Sequence, residues 1–185
     1  VLQDVISFCK NTVQPMEKVL EVRYPHLEDR LTEITEVRRL YEERKRASQA
    51  MDFDDLLGNW LTLIHHPEIG VAMSARFRHI LVDEYQDTNA LQANIVSGLA
   101  RTHRNAFVVG DDAQSIYSFR GADIKNILRF PEEWPDAKVH KLLTNYRSTP
   151  DILDLANASL SQNRAQFQKD LIGLLPRGKK PIVGS

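Results

Sequence analysis

The chain has 185 residues, 42% hydrophobic and 26% charged, with 24 Lys and Arg against 25 Asp and Glu for a net charge of −1. That composition supports a core for one domain or a domain and a half, and it excludes a disordered or fibrous chain and a generally basic nucleic-acid coat. A lone cysteine, Cys9, excludes an internal disulfide and fits a reducing compartment, and no apolar run approaches the roughly 18–20 residues of a membrane span.

The charge is unevenly placed. Residues 1–100 hold 11 basic and 16 acidic side chains and residues 101–185 hold 13 and 9, so a polyanion partner is sought on the second part. The N-terminus, Val1-Leu2-Gln3-Asp4, has neither an initiator Met nor a signal-peptide pattern, and an excerpt of a longer protein is expected.

The first fifty residues read as helix. Leu2, Val5, Ile6 and Cys9 keep 3-4 spacing, and Pro15 opens a short helix carrying Met16, Val19 and Leu20. Tyr24-Pro25-His26 breaks the pattern. Leu31, Ile34, Val37 and Tyr41 then mark the apolar face of a long helix, with Glu42 and Arg46 at pairing distance and Arg44-Lys45-Arg46 as a solvated end. Phe53, Leu56, Leu57, Trp60, Leu61 and Ile64 predict a strongly apolar helix that stops at His65-His66-Pro67. Adjacent histidines on a helix do not face one point, so a helix-end role is expected rather than a metal site.

Short strands and helices alternate next. His79 to Val82 and Ala106 to Val109 predict buried strands, and Lys138 to Leu143 a third. Between the first two lies a helix with Leu91, Ile95 and Leu99 inward and Asp87 or Thr88 as its cap. A short helix is expected near Ile124 to Leu128, another after the Ser148-Thr149-Pro150-Asp151 start, and one more strand at Pro181-Ile182-Val183. Alternation of this kind implies an α/β fold with a parallel sheet.

Three stretches carry chemistry. In Ile80-Leu81-Val82-Asp83-Glu84-Tyr85-Gln86-Asp87 an apolar strand delivers two carboxylates at its C-terminal end, where open α/β sheets bind ligands. Nucleotide hydrolysis uses such a pair: one carboxylate holds Mg²⁺ on the phosphates and the next polarises the attacking water. The same pair also fits a plain strand end. In the turn after Val109, Tyr117 and Phe119 flank Ser118 and precede Arg120, a grouping that suits stacked single-stranded bases and equally a core. In Asn145-Tyr146-Arg147-Ser148 an aromatic and an Arg stand at a helix start, where the Arg fits a γ-phosphate or an ion pair with an acid.

Taken in order, Phe53-Asp54-Asp55-Leu56-Leu57, Asp83-Glu84-Tyr85-Gln86-Asp87-Thr88-Asn89, Gly110 to Ala122 and Asn145-Tyr146-Arg147-Ser148 resemble the UvrD/Rep/PcrA family of superfamily 1 DNA helicases over roughly residues 30–183. The string Gln114-Ser115-Ile116-Tyr117, then Phe119-Arg120-Gly121-Ala122, is the most specific part. The resemblance implies a partial RecA-like P-loop NTPase parallel sheet with flanking helices, preceded by a helical segment. It implies Asp83 as the Mg²⁺ ligand, Glu84 as the catalytic base and Gln114 as the γ-phosphate sensor. Arg147 would be the arginine finger and Tyr146 would lie against the adenine of ATP. Tyr117 and Phe119, with Arg120, would hold single-stranded DNA. The family often has Trp at the position of Phe119, and Phe keeps a smaller stacking face. The Phe53–Leu57 segment is expected to serve packing rather than catalysis.

The family's G-x-x-x-x-G-K-[ST] loop is missing. Gly173-Leu174-Leu175-Pro176-Arg177-Gly178-Lys179-Lys180 has the spacing but ends in Lys180, follows no strand pattern and lies after Arg147, so a solvated basic loop is expected there. By resemblance, the P-loop lies upstream of Val1 and later motifs beyond Ser185. Residues 1–50 would be the tail of the inserted accessory domain, 51–142 the C-terminal half of the first motor domain and 143–185 the start of the second. The parent is then expected to be an ATP-dependent 3′–5′ helicase and translocase in the bacterial cytoplasm, serving DNA repair or replication without a membrane. The chain alone is expected to hydrolyse no ATP and, with an exposed strand edge, to self-associate. Alternatives are a non-catalytic module binding single-stranded DNA or a protein, or the helicase part of a helicase–nuclease.

Overall fold

A computed structural model describes residues 1–182, with every side chain in that range except that of Arg120. The expected strand at Pro181-Ile182-Val183 lies partly outside the described residues, and Pro181 and Ile182 form no strand. The chain divides into two units. The first holds Val1–Asp111 and Ser115–Asn126, the second Asp112–Gln114 and the chain from Ile127 onward.

The first unit starts with α1 (Leu2–Thr12) and α2 (Met16–Arg23), a 3₁₀ segment at Pro25–Arg30, and α3 (Leu31–Ala47). Val5, Ile6, Cys9, Met16, Val19, Leu20 and Ile34 form their common core. Burial pushes the Cys9 thiol above its ordinary value, which makes it an inert core group. The apolar face expected on α3 narrows to buried Ile34 and half-buried Leu31, since Val37 and Tyr41 are exposed.

The predicted helix at 53–64 is present as α4 (Phe53–His65), opened by a capping box in which Asp52 and Asp55 each accept the other's backbone N–H. Its apolar content is not matched by burial: Ile64 is buried, while Phe53 is 87% exposed. His66 ends α4 and caps α5 (Pro67–Arg76), its Nδ1 accepting the N–H groups of Glu68 and Ile69 at 3.3 Å. The sequence pattern did not announce α5. Its Ile69 and Val71 face solvent, and it packs through Gly70, Ser74 and half-buried Met73, too few apolar groups to make a stripe. The Ser74 hydroxyl donates to the Leu99 carbonyl at 2.9 Å and accepts the Thr102 N–H at 3.0 Å.

A β–α–β unit completes the first unit: β1 (Ile80–Val82), α6 (Ala90–Ala100) and β2 (Ala106–Val108). The strands are parallel, with Ile80 beside Ala106, Leu81 beside Phe107 and Val82 beside Val108. Leu91, Ile95 and Leu99 of α6 face inward as expected and meet Ile64 and Ile80. The cap of α6 is Asn89, in a reciprocal pair with Gln92, rather than Asp87 or Thr88. A 3₁₀ turn occupies Tyr85–Asp87, and the Thr88 hydroxyl is spent on the Tyr85 carbonyl at 2.6 Å.

α4 crosses α6 where Gly98 presents no side chain. A Cβ there would stand 2.1 Å from Ile64 Cγ2. Gly98→Ala is therefore expected to destabilise the chain by about 1–3 kcal/mol, against the usual helix gain from Ala. Urea unfolding followed by Trp60 fluorescence measures it, and a stabilised variant would contradict the close crossing.

α7 (Lys125–Leu128) starts in the first unit and ends in the second, where α8 (Phe130–Glu133) follows and its Phe130 stacks on Trp134 with centroids 5.5 Å apart. A two-residue parallel sheet joins β3 (Thr144–Asn145) to β4 (Ile172–Gly173), with α9 (Pro150–Leu160) between them. The strand expected at Lys138–Leu143 is absent. Val139 and Leu142 are exposed, so that run has no face to bury. α9 begins at Pro150 as predicted, but its cap Thr149 makes no side-chain bond, and Asn145 Oδ1 accepts the N–H groups of Arg147 and Ser148 at 2.9 and 2.8 Å. Over the described residues the architecture is thus a helix-rich α/β arrangement with two small parallel sheets. Among the described residues no helix is long and apolar enough to cross a membrane.

Candidate nucleotide and nucleic-acid site

The parallel register brings the C-terminal ends of β1 and β2 side by side. The Val109 N–H donates to the Val82 carbonyl at 2.8 Å and the Tyr85 N–H to the Val109 carbonyl at 2.9 Å, so both following turns leave the same edge. Asp83 and Glu84 stand there with exposed side chains. Asp83 Oδ1 accepts the Glu84 N–H at 2.9 Å. Glu84 sits in the left-handed region at φ 52, uncommon without glycine.

A residue with no assigned role in the sequence reading holds this edge together. Gln86 is 1% exposed. Its Nε2 donates to Glu84 Oε2 at 2.7 Å, its Oε1 accepts the Asp111 N–H at 3.0 Å, and its carbonyl accepts the Ser115 hydroxyl at 3.2 Å. One buried amide therefore aims the Glu84 carboxylate and ties it to the turn that carries Tyr117. Its position inside the Asp83–Asp87 motif was the only sequence signal for it.

Asp83 suits Mg²⁺. An exposed carboxylate with one oxygen engaged by an N–H still offers free lone pairs, and Mg²⁺ bound to a nucleotide usually takes one or two protein carboxylates, phosphate oxygens and waters.

The Tyr117 and Phe119 rings lie 5.9 Å apart at 48° and are 38% and 57% exposed, so they stand at the surface rather than in the core. Gly121, at φ 87, ends the 3₁₀ turn Ser118–Arg120. Beyond it, Ala122 bridges Asn89, the Asp123 N–H donates to the Thr88 carbonyl at 3.0 Å, and Asn126 Nδ2 donates to the same oxygen at 2.9 Å. The aromatic turn is thus fixed to the segment that follows the carboxylates. The Arg120 side chain lies outside the described residues.

The second unit carries Gln114, Tyr146 and Arg147. Gln114 is exposed at the end of the 3₁₀ turn Asp112–Gln114. Buried Asp112 anchors that turn by accepting the Phe167 N–H at 3.0 Å and pairing with Lys169 Nζ at 2.8 Å. Tyr146 is 74% exposed. Arg147 is exposed too, and among the described residues it forms no ion pair with an acid. The Gly173–Lys180 run is no phosphate cradle. The Gly178 N–H donates to Asp151 Oδ2 at 2.7 Å and holds that carboxyl below its ordinary range, while Arg177 pairs with Asp151 and Asp154. Among the described residues no helix follows it, and Arg177 is tethered rather than freely solvated.

Behind the first unit's site, the acidic start of α4 receives α1 and α3. Lys10 Nζ reaches Asp55 and Glu42 at 2.7 Å, and Lys45 Nζ reaches Asp55 at 2.6 Å, Asp52 at 2.8 Å and Glu42 at 3.2 Å. Asn11 Nδ2 donates to Asp54 Oδ1, and Asn89 Nδ2 donates to Asn11 Oδ1, each at 2.8 Å. The Phe53–Leu57 segment thus does serve packing, through its carboxylates more than its apolar groups. This corrects the solvated reading of Lys45, which is 8% exposed, and Glu42 pairs with Lys10 and Lys45 rather than Arg46. Burial opposes the charge of Asp55, but hydrogen bonds from Lys10, Lys45 and the Asp52 N–H outweigh it and hold the carboxyl well below the ordinary range. Asp52 and Glu42 are lowered by the same balance.

Residues 1–135 match the UvrD/REP helicase N-terminal domain. The chain is 38% identical over 179 residues to ATP-dependent DNA helicase UvrD1 of Mycobacterium tuberculosis, covering 92% of this chain and 23% of that protein. It is 45% identical over 132 residues to ATP-dependent DNA helicase PcrA of Staphylococcus epidermidis, covering 71% of this chain and 18% of that protein. Against PcrA of Leuconostoc citreum it is 42% identical over 139 residues, or 75% of this chain and 19% of that protein. The chain therefore spans about a fifth of the length of these relatives.

Proposed function

Because the chain belongs to the UvrD/REP helicase family, we propose that it is part of an ATP-dependent DNA helicase that converts ATP hydrolysis into 3′–5′ movement on single-stranded DNA. The observation that carries this reading is the Gln86 clamp. It joins a carboxylate pair at the end of two parallel strands to a turn bearing two exposed rings. A linkage of this kind is what coupling nucleotide chemistry to a strand of bases needs.

In this reading Asp83 holds Mg²⁺, which neutralises phosphate charge when bound. Glu84 accepts the proton of the attacking water, with Gln86 fixing its carboxylate. Gln114 responds to the γ-phosphate, Arg147 offsets charge that develops on it, and Tyr146 lies against the adenine. Tyr117 and Phe119 stack on bases, and Arg120 adds a cation beside them. Residues 1–50 belong to an accessory domain, 51–142 to the second half of a RecA-like motor domain and 143–185 to the start of another. The rest of the polypeptide supplies the P-loop, and the protein works in the bacterial cytoplasm.

The test is ATP turnover with and without a single-stranded oligonucleotide. The full-length protein is expected to show strongly DNA-stimulated hydrolysis and the 185-residue chain none. A full-length protein that binds single strands without turnover would favour a non-catalytic module instead. Turnover by the chain alone would refute the requirement for an external P-loop.

A further inference from the structure

Within the first unit a cavity of about 880 Å³ opens beside the aromatic turn, inside the roughly 300–1,000 Å³ of small-molecule sites. Tyr117 and Phe119 line it. So do Phe8 of α1, Arg23 at the end of α2, and Tyr24. The helical hairpin that precedes the motor segment therefore faces the rings proposed above to hold DNA.

Arg23 is the informative residue. Its guanidinium carbon lies 4.2 Å from the centroid of the Phe8 ring and 5.8 Å from that of Tyr24. Its Nη2 donates to the Phe119 carbonyl at 2.9 Å. A guanidinium has five N–H donors, and that carbonyl takes one. Among the described residues Arg23 forms no ion pair with a carboxylate. A cation without an acid partner, held over an aromatic face in a cavity with further aromatic walls, matches a nucleotide: rings take the base and the guanidinium takes the phosphate. Asp4 and Asp87 also line the cavity, and their charge keeps a phosphate away from their part of the wall.

We infer that the α1–α2 hairpin forms a second wall of the single-strand groove. In it Arg23 contacts a DNA phosphate, and Phe8 and Tyr24 contact the base or sugar of the nucleotide next to Tyr117 and Phe119. The inference rests on the reading of the aromatic turn as the DNA-binding element.

The test uses the full-length protein and a labelled oligo-dT, with affinity measured by fluorescence anisotropy across a salt series. Arg23→Gln is expected to weaken binding about 5-fold or more and to reduce the slope of log K against log salt by about 0.7, the loss of one single-strand phosphate contact. Phe8→Leu is expected to weaken binding by a similar factor with the slope unchanged. Phe119→Ala serves as the reference. If it weakens binding while Arg23→Gln alters neither affinity nor slope, the hairpin wall is wrong and the aromatic turn stands. If Phe119→Ala and Arg23→Gln both bind as the unaltered protein does, the aromatic turn itself is not the DNA site and the inference falls with it. Should Arg23→Gln not fold, photo-cross-linking of iododeoxyuridine oligonucleotides to the unaltered protein decides. Adducts on Phe8 or Tyr24 support the wall, and adducts confined to Tyr117 and Phe119 overturn it.

Discussion

Glu84→Gln in the full-length protein is expected to lower DNA-stimulated ATP turnover by about 10²–10⁴-fold while ATP binding stays within about 2-fold. That loss corresponds to roughly 3–5 kcal/mol of barrier. The substitution isolates basicity from geometry. Glu84 Oε2 accepts the Gln86 amide at 2.7 Å, and a glutamine carbonyl oxygen can accept the same bond. The backbone at φ 52 is as accessible to Gln as to Glu. Side-chain volume and tether therefore survive, and only the proton-accepting carboxylate is lost. A coupled ATPase assay at saturating oligonucleotide, with a fluorescent-nucleotide titration beside it, separates turnover from binding. Turnover within about 3-fold of the unaltered protein would remove Glu84 from the chemistry.

Lys45→Met is expected to destabilise the first unit by about 3–5 kcal/mol at neutral pH, toward the low end because Glu42 and Asp52 keep partial solvent access. The cost comes from what remains. Lys45 lies against Asp52, Asp55 and Glu42; its removal leaves Asp55 and Glu42 to Lys10 and takes the ion-pair partner from Asp52. The pH dependence carries the sign. Asp55, Asp52 and Glu42 all have folded-state values below their ordinary ones of 3.8, 3.8 and 4.5. Their contribution is present above that range and is lost as the pH falls through it toward the depressed values. Burial disfavours the Lys45 charge, but its hydrogen bonds to Asp52 and Asp55 raise it above its ordinary 10.5, so its own contribution is constant in acid. The unaltered chain should lose stability progressively as the pH falls below about 5, and the variant should lose less, closing the gap. Urea unfolding monitored through Trp60 reads both. A gap under about 1 kcal/mol at pH 7, or one that fails to close in acid, would mean the network contributes little.

The contrast between Glu84 and Lys45 shows what the sequence discloses. The position of Asp83 and Glu84 was legible because a short apolar run followed by two acids marks a strand end, and the parallel register sets them at the C-terminal edge. Leu91, Ile95 and Leu99 were legible because helical period alone sets their face. Lys45 was not. On its own helix it belongs to a basic run, and only the fold brings Asp52 and Asp55 against it. Gln86 is similar: of the partners it holds, Asp111 and Ser115 lie more than twenty residues away. Lys138–Leu143 failed in the other direction, since apolar alternation predicts a strand only where another surface covers it.

The shortness of β1 and β2 has a consequence for motion. Each strand has three residues, and a two-stranded ladder of that length is marginal by itself. The Glu84 amide is not a rung of it; that N–H donates to the neighbouring Asp83 side chain. The two carboxylates thus stand at the end of a short ladder, where local opening is expected to cost little and their amides to exchange fast. Nucleotide engaging Asp83 and Glu84 would register first as slowed hydrogen exchange at residues 83–87, a tightening of this edge with no displacement of the strands that carry it.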